Sequence, residues 1–386
     1  MLTTNTNKVF SGILICIFLI LISNPVLRMI SSPIEETSTA EKRKLTPLPD
    51  IEFSLESLED FPAAFERFFN DHFGHRKEFI HFFNYMKVVW FKTSPTKKYL
   101  VGRDGWLYLG DKKTIDDFRG LTKANLSVLK SWHSHLQEKE LFFRNRGIRY
   151  LFVVEPDKKS VYPEYFPGYM EKISNSSMLD QLIDFLPEDT TPFFLDLRAP
   201  LLREKKHDLL YFKTDTHWND VGAFIAYQKI IQNLQNWFPE TTTLDKPHLQ
   251  YSTIDTIGGN TAARMMLSDV LRESVKTIKP LHPCSKITHS NGKVPNKLDW
   301  KTGVFPKFPI KFSFSKKCSS ANLKAVIFHD SFMVAVEPFL SEHFSEVQYI
   351  WNFFQQDILK FKNMIVQFKP DLVIEAKVER ELFKNY

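Results

Sequence analysis

Cysteine and glycine are scarce in this chain of 386 residues, with 3 Cys and 13 Gly against 36 Phe. So few cysteines exclude a small disulfide scaffold, and so little glycine excludes a collagen-like repeat. Blocks of like charge are missing too: 51 Lys+Arg and 45 Asp+Glu leave a net charge of +6, but the two signs are interspersed. That pattern suits a solvated surface, and with no recognition motif beside it no nucleic-acid partner is expected. The chain has no internal repeat and no His-Glu-x-x-His metal motif. What is there, 43% apolar and 25% charged residues, is the make-up of an ordinary folded protein. The length suits two compact units, or one α/β domain with an insertion.

The longest apolar run lies at the N-terminus. Lys8 precedes Val9–Leu27, whose uninterrupted centre is Ile13–Ile22, and Ser23, Asn24, Pro25 and Arg28 follow that centre. The apolar core of a secretory signal takes about 7–15 residues and a spanning helix about 17–25. With no Ala-x-Ala-like cleavage site after the run, residues 1–28 read as an uncleaved signal anchor, a cleaved signal peptide being the alternative. Both export the rest of the chain. A buried core helix fits less well, because the polar stretch that follows offers nothing to pack against. Residues 29–60 are polar and proline-bearing and read as a tether.

Export bears on the cysteines. Cys16 lies inside the apolar run, which leaves Cys284 and Cys318 in the body of the protein. In an oxidising compartment these two can pair, closing a loop of about 35 residues and constraining the unfolded chain by about 3–4 kcal/mol. Two separate buried thiols are the alternative. Zinc is poorly supported, since neither has a second Cys two to four positions away.

From Phe61 to Phe91 aromatics recur at helical spacing, among them Phe65, Phe68, Phe69, Phe73, Phe79, Phe82 and Phe83. The spacing predicts an amphipathic helical pair broken near Gly74, its aromatic stripe serving as a packing face. Asp104-Gly105, between apolar runs in Tyr99–Leu109, predicts a hairpin. Strands are then expected at 148–154, 193–197, 323–328, 347–351 and 371–375, and helices at 126–143, 178–186, 221–237, 331–340 and 356–368. Alternation of this kind predicts an α/β fold, a parallel sheet with helices on both faces. Segment 239–322 is richer in Thr, Lys and Pro and breaks the rhythm; it reads as a part-β insertion packed over or beside the sheet. The body of the protein is thus taken as residues 61–386.

Two places combine residue types that do chemistry with the ends of predicted elements. Asp215-Thr216-His217-Trp218-Asn219 leads into a helix that Asn219 can cap. His329-Asp330-Ser331-Phe332 sits where a strand turns directly into a helix. A serine there holds its hydroxyl above the carboxyl end of the sheet, beside unpaired N–H groups of a helix N-terminus that can bind an oxyanion. Serine needs a base, and His217 can serve if a carboxylate such as Asp215 fixes its tautomer. Each piece also has an ordinary reading: a metal pair for Asp215 and His217, a structural histidine beside Trp218, an N-cap for Ser331. Nucleophile, base and orienter types occurring together favour the catalytic reading.

These blocks carry a resemblance. TDTHWN before a helix, HDSF after a strand, PDLVIEAKVER near the end, and the earlier GRDGWLYLG and EPDKKSVYPEYFP resemble the alginate O-acetyltransferase AlgJ/AlgX-like family of SGNH-hydrolase-related proteins. In ordinary SGNH hydrolases the Asp-x-His block follows the serine; in this family, as here, it precedes it. The resemblance implies an SGNH-like, flavodoxin-like sheet and a membrane-tethered, periplasm-facing enzyme of the inner membrane. Such an enzyme moves acetyl groups onto hydroxyls of an exported polysaccharide, receives them by way of a membrane-bound O-acyltransferase partner, and uses no cofactor or metal. Carried over by position, Ser331 is the nucleophile that becomes acetylated, His217 the base and then acid, and Asp215 its orienter. His329 and Asp330 stand where such proteins often show Gly and Asp, so His329 is a departure. Asn260, in IGGNTAARMM, is the candidate oxyanion donor, with Arg264 nearby in sequence. Longer family members carry a C-terminal carbohydrate-binding domain, whereas this chain ends soon after its last predicted strand, so the cleft and its aromatics are expected to grip the glycan. An exported esterase with the same triad and a non-catalytic glycan-binding component are the competing readings.

Overall fold

Apolar side chains can leave water only if their backbone N–H and C=O groups pair internally, and the N-terminal run does this as a helix, α1 (Leu2–Ser31). Its stretch Val9–Ser31, 23 residues containing an 18-residue window of mean hydropathy 2.4, is long and apolar enough to cross a membrane, and side chains such as Phe18, Leu21 and Leu27 are exposed. The computed structural model describes residues 2–38, 43–50, 55–290, 313–351 and 358–383. The chain divides into two units, 1–91 with 263–267, and 92–262 with 268–386. The division therefore falls after Phe91, and the helical pair expected in the body of the protein belongs with the N-terminal unit.

In that first unit β1 (Thr37–Ser38) and β2 (Arg43–Lys44) form a short antiparallel bridge. Arg43 forms an ion pair with Asp71 of α2 (Leu55–His72). A turn at Gly74 leads into α3 (Arg76–Tyr85), which runs on as a π-helical turn, Met86–Trp90. A side chain at Gly74 would begin 2.1 Å from the carbonyl oxygen of Pro25 and 2.8 Å from Cβ of Arg28, so glycine lets this turn close on the end of α1. The aromatic stripe departs from its expected packing role. Phe68 is buried, but Phe79, Phe82 and Phe83 are 51%, 53% and 48% exposed. The inward face of α3 and its extension is set instead by Val88 and by Asn84, whose amide donates to the Met265 carbonyl at 2.7 Å.

The second unit opens with the hairpin β3 (Tyr99–Val101) and β4 (Leu107–Leu109), turned where Asp104 and Gly105 take φ angles of 51° and 79°. Next come α4 (Lys112–Phe118), α5 (Leu126–Arg144), β5 (Arg149–Glu155), α6 (Lys158–Val161), α7 (Met178–Phe185), β6 (Phe194–Asp196), α8 (Arg198–Glu204) and α9 (Asp220–Leu234). Asn219 caps α9, its side-chain oxygen accepting from the N–H groups of Val221 and Gly222, both at 3.0 Å. A second hairpin, β7 (Leu249–Thr256) and β8 (Glu273–Pro280), carries the short helix α10 (Asn260–Arg264) in its loop. β9 (Lys286–Ser290), β10 (Ser313–Lys317), β11 (Leu323–His329), α11 (Met333–Leu340), β12 (Phe344–Trp351), α12 (Lys362–Phe368) and β13 (Leu372–Val378) complete it. Residues 356 and 357 of the last predicted helix lie outside the described residues.

The main sheet runs β6-β5-β13-β11-β12-β10-β9. Its first five strands are parallel and the last two antiparallel, so the sheet is mixed. From the part-β segment 239–322, β9 and β10 supply that antiparallel edge, extending the sheet at β12, while its residues 291–312 lie outside the described residues. Strand periodicity sends alternate side chains to two cores. Leu151, Val153, Ile327 and Ile374 pack with residues of α9 and α11 on one face; Phe152, Val154, Val326, Phe328 and Val373 pack with residues of α5 and α7 on the other. The final strand, β13, lies between β5 and β11. This places the carboxyl ends of three strands side by side, and with them the buried residues Glu155, Asp330 and Glu379.

Cys284 and Cys318 form a disulfide at this edge, flanking β9 and β10, with Cα atoms 5.0 Å apart. Replacing both with serine is expected to destabilise the fold by about 3–4 kcal/mol, the restriction lost from the unfolded chain, read as a lower denaturation midpoint. A second stabilising feature is an ion pair inside the core. Lys139 Nζ donates to Glu375 Oε2 at 2.9 Å, Tyr150 donates to the same oxygen at 2.7 Å, and Lys377 Nζ lies 3.3 Å from the other oxygen. Burial alone would raise the Glu375 carboxyl, but Lys139 and Lys377 outweigh it and hold the group down at about 2. Because the folded form holds its proton less tightly than the unfolded one, the stabilisation is present above the ordinary carboxylate range. It is lost as pH falls from about 4 through about 2. Thermal unfolding between pH 5 and pH 2 is expected to show a steeper acid loss, by about 3 kcal/mol, in the native chain than in Glu375→Gln.

Candidate active site

The loop 211–218 is narrow: Tyr211 and Trp218 form an antiparallel bridge, and the Phe212 N–H donates to the His217 carbonyl at 3.2 Å. Its tip carries Asp215 and His217. Across from it β11 ends at His329, and Asp330 and Ser331 follow before α11 begins. The structure brings the three predicted residues together although Ser331 lies 114 positions from His217. Ser331 Oγ is 2.7 Å from His217 Nε2, and His217 Nδ1 is 2.6 Å from Asp215 Oδ1. Such a chain leaves Nε2 free to take the serine proton only if Nδ1 carries the other, and the adjacent carboxylate requires that tautomer.

Asp215 is fully buried. Its Oδ1 also accepts the His217 backbone N–H at 3.0 Å, and its Oδ2 accepts the Asn260 N–H at 2.6 Å. Burial would raise this carboxyl, but His217 and these N–H groups outweigh burial and hold it below its ordinary value, so it stays ionised. Glycine at 259 makes this possible, since a Cβ there would lie 2.6 Å from both Asp215 Cβ and Oδ2. The imidazole and Ser331 lie against Phe332, whose ring centroid is 4.8 Å from that of His217 and whose carbonyl accepts from Trp218 Nε1 at 3.0 Å.

Of the substrate-binding or oxyanion candidates, Asn260, Asp330 and His329 each have their own contacts. Asn260 braces the triad: its N–H is taken by Asp215, while its amide bridges to Thr216, accepting from the backbone N–H and donating to Oγ1, each at 3.3 Å. Asp330 is an acceptor, its carboxylate receiving the Phe332 N–H at 2.9 Å and the Val378 N–H at 2.8 Å, so it stitches the nucleophile turn to the end of β13. His329 is buried and burial pushes its imidazole down, so it is neutral; Nδ1 donates to the Asp330 carbonyl at 2.9 Å. Arg264 is exposed and belongs to the other unit. The Ser331 backbone N–H makes no hydrogen bond among the described residues, so it is an open donor at this turn.

Two further residues shape the site without having been singled out from the sequence. Lys158, at the start of α6, is buried and its Nζ donates to the carbonyls of Phe212, Lys213 and Asp215 at 3.0, 3.0 and 2.5 Å. Burial pushes its amine down to about 7, with Glu273 and Asp215 pulling the other way. Three carbonyls match the three N–H donors of an ammonium. Glu273 holds the same loop from the opposite side, accepting from the N–H of Lys213 at 2.8 Å and of Thr214 at 3.1 Å. The available signal for Lys158 was its place in EPDKKS, three residues past the end of β5; Glu273 gave none.

Residues 99–277 match the model of the SGNH hydrolase-like domain of the acetyltransferase AlgX. That match covers less than half of the chain. The matched stretch contains Asp215 and His217 and ends before Ser331. Among curated relatives, a probable alginate O-acetylase AlgJ of Pseudomonas putida is 27% identical over 137 residues, 34% of this chain and 33% of that protein. The chain thus spans about a third of the length of the curated relative it matches. Among solved structures, PatB1 of Bacillus cereus with a sulfonyl adduct superposes with a TM-score of 0.53 at 16% identity, covering 74% of this chain and 97% of that one. A DHHW family protein of Eubacterium siraeum gives 0.50 at 16% identity, covering 75% and 93%. At such identities the likeness is one of fold, the SGNH hydrolase-like sheet with flanking helices.

Proposed function

We propose that this protein transfers acetyl groups onto hydroxyls of an exported polysaccharide through an acetyl-Ser331 intermediate. The observation that carries the reading is the continuous contact from Ser331 Oγ through His217 to the buried Asp215 carboxylate, at 2.7 and 2.6 Å. In the first half-reaction Ser331 Oγ bonds to the acetyl carbonyl carbon while its proton passes to His217 Nε2. Collapse of the tetrahedral species expels the donor's alcohol, which takes that proton. In the second half, a sugar hydroxyl gives its proton to His217 Nε2 and attacks acetyl-Ser331, and the proton returns to Ser331 Oγ as the ester forms. Negative charge on the carbonyl oxygen is met by the Ser331 N–H at the start of α11. Asp215 stabilises the imidazolium in both halves.

Tethering supports transfer over hydrolysis. With α1 as a single-pass inner-membrane anchor and the second unit on the periplasmic side, the enzyme meets an acetyl donor supplied by a membrane-bound O-acyltransferase. Incubating the protein with an activated acetyl ester and digesting it tests the reading: an acetyl group is expected on the peptide containing Ser331, discharged faster by added glycan than by water. Discharge to water at the same rate would make the enzyme an esterase, and absence of label would sink the covalent mechanism.

A further inference from the structure

We infer that the aromatic face of α3 and its π-helical extension lies flat in the headgroup region of the bilayer that α1 spans, giving the first unit a second, interfacial membrane contact. The inference rests on the anchored reading of α1. Val9 to Arg28 is about 20 residues, and at 1.5 Å rise per residue that accounts for the hydrocarbon thickness of about 30 Å, so Arg28 marks the boundary. Gly74 closes on Pro25 and Arg28, and Pro25 is buried there, so the α2–α3 turn sits at that boundary. α3 begins two residues later.

Along the segment Phe79, Phe82 and Phe83 stand at i, i+3 and i+4, and Trp90 and Phe91 end it, 59% and 66% exposed. Five large aromatics on a segment whose other face buries Asn84 and Val88 are costly in water, at about 25 cal/mol per Å² of apolar surface left wet. Their chemistry selects the interface over the hydrocarbon centre. Trp90 keeps an indole N–H for headgroup or water, and the segment carries Arg76 and Lys87, the latter with Nζ 5.7 Å over the Phe83 ring, beside the acidic Glu78 and Lys77, which is ion-paired with Glu35 at 2.8 Å. Basic side chains beside aromatic ones fit a surface of anionic phospholipids.

The full chain reconstituted into vesicles of phosphatidylethanolamine and phosphatidylglycerol, brominated at either shallow or deep acyl positions, tests this. The emission of Trp90 is obtained as the difference between the native chain and Trp90→Phe. It is expected to be quenched at least about twofold more by shallow than by deep bromines, as a group buried about 5–10 Å into the interface would be. Emission indifferent to bromination, from a chain that floats with the vesicles and resists alkaline extraction, would overturn the inference alone and leave the face to a protein partner. A chain that does not float would overturn the anchored reading, and the interfacial contact with it.

Discussion

Replacing Ser331 with alanine is expected to lower acetyl transfer by a factor on the order of 10³–10⁶ while leaving the fold in place. The hydroxyl is half-buried at the end of β11 and meets His217 Nε2 at 2.7 Å. Its removal takes away the atom that carries the acetyl group but not the contacts that build the site. Asp215 keeps its three hydrogen bonds, Trp218 still donates to the Phe332 carbonyl, and Asp330 still ties the turn to β13. Thermal unfolding should therefore move by less than about 1 kcal/mol. Glycan acetylation and unfolding measured on the same preparation decide the matter. Unchanged acetylation would remove the enzymatic readings together and leave a glycan-binding component.

Asp215→Asn is expected to cost a factor on the order of 10⁴ in turnover, because an amide of nearly the same shape offers one acceptor where the site uses two. Oδ1 takes both His217 donors and Oδ2 takes the Asn260 N–H. If the amide nitrogen faces His217, the imidazole must accept at Nδ1 and carry its proton on Nε2, aimed at Ser331, where it can no longer act as a base. If it faces Asn260, two N–H donors confront each other in a buried site. The fold loses about 1–3 kcal/mol in either arrangement, far less than the effect on turnover. Proportional losses of stability and transfer would make Asp215 a structural residue. The pH profile gives a second reading, since the native carboxyl is held below its ordinary range and the amide does not titrate.

Much of this is legible in the sequence. The hairpin at Asp104-Gly105, the cap at Asn219 and the five parallel strands follow from local rules, positive φ at a turn, a side-chain acceptor at a helix start, and runs of β-branched and aromatic residues. The three chemical side chains were legible for a related reason, since each stands at an element end, where a side chain is free to face a cleft. The bond from Asn260 to Asp215 could not be read beforehand, because it is made by a backbone N–H, and a backbone N–H has no signature in a sequence. Lys158 was passed over because its partners are carbonyls, which every residue possesses. The aromatic stripe of α3 misled for a different reason: a helical period identifies an apolar face without naming what covers it, and here Asn84 rather than phenylalanine points inward.

Local chemistry in the sequence settled which segments are helix or strand, that the first thirty residues suit a bilayer, and which residue types stand ready for acyl chemistry. Only the folded chain settled that β13 enters the middle of the sheet between β5 and β11, that the segment after residue 239 extends the sheet edge, and that residues 114 positions apart meet at 2.7 Å. The physical reason is range. Turns, caps and periodicity are set by neighbours a few residues away, whereas strand order and the meeting of Ser331 with His217 depend on how whole elements share two buried faces, a free energy that no single segment carries.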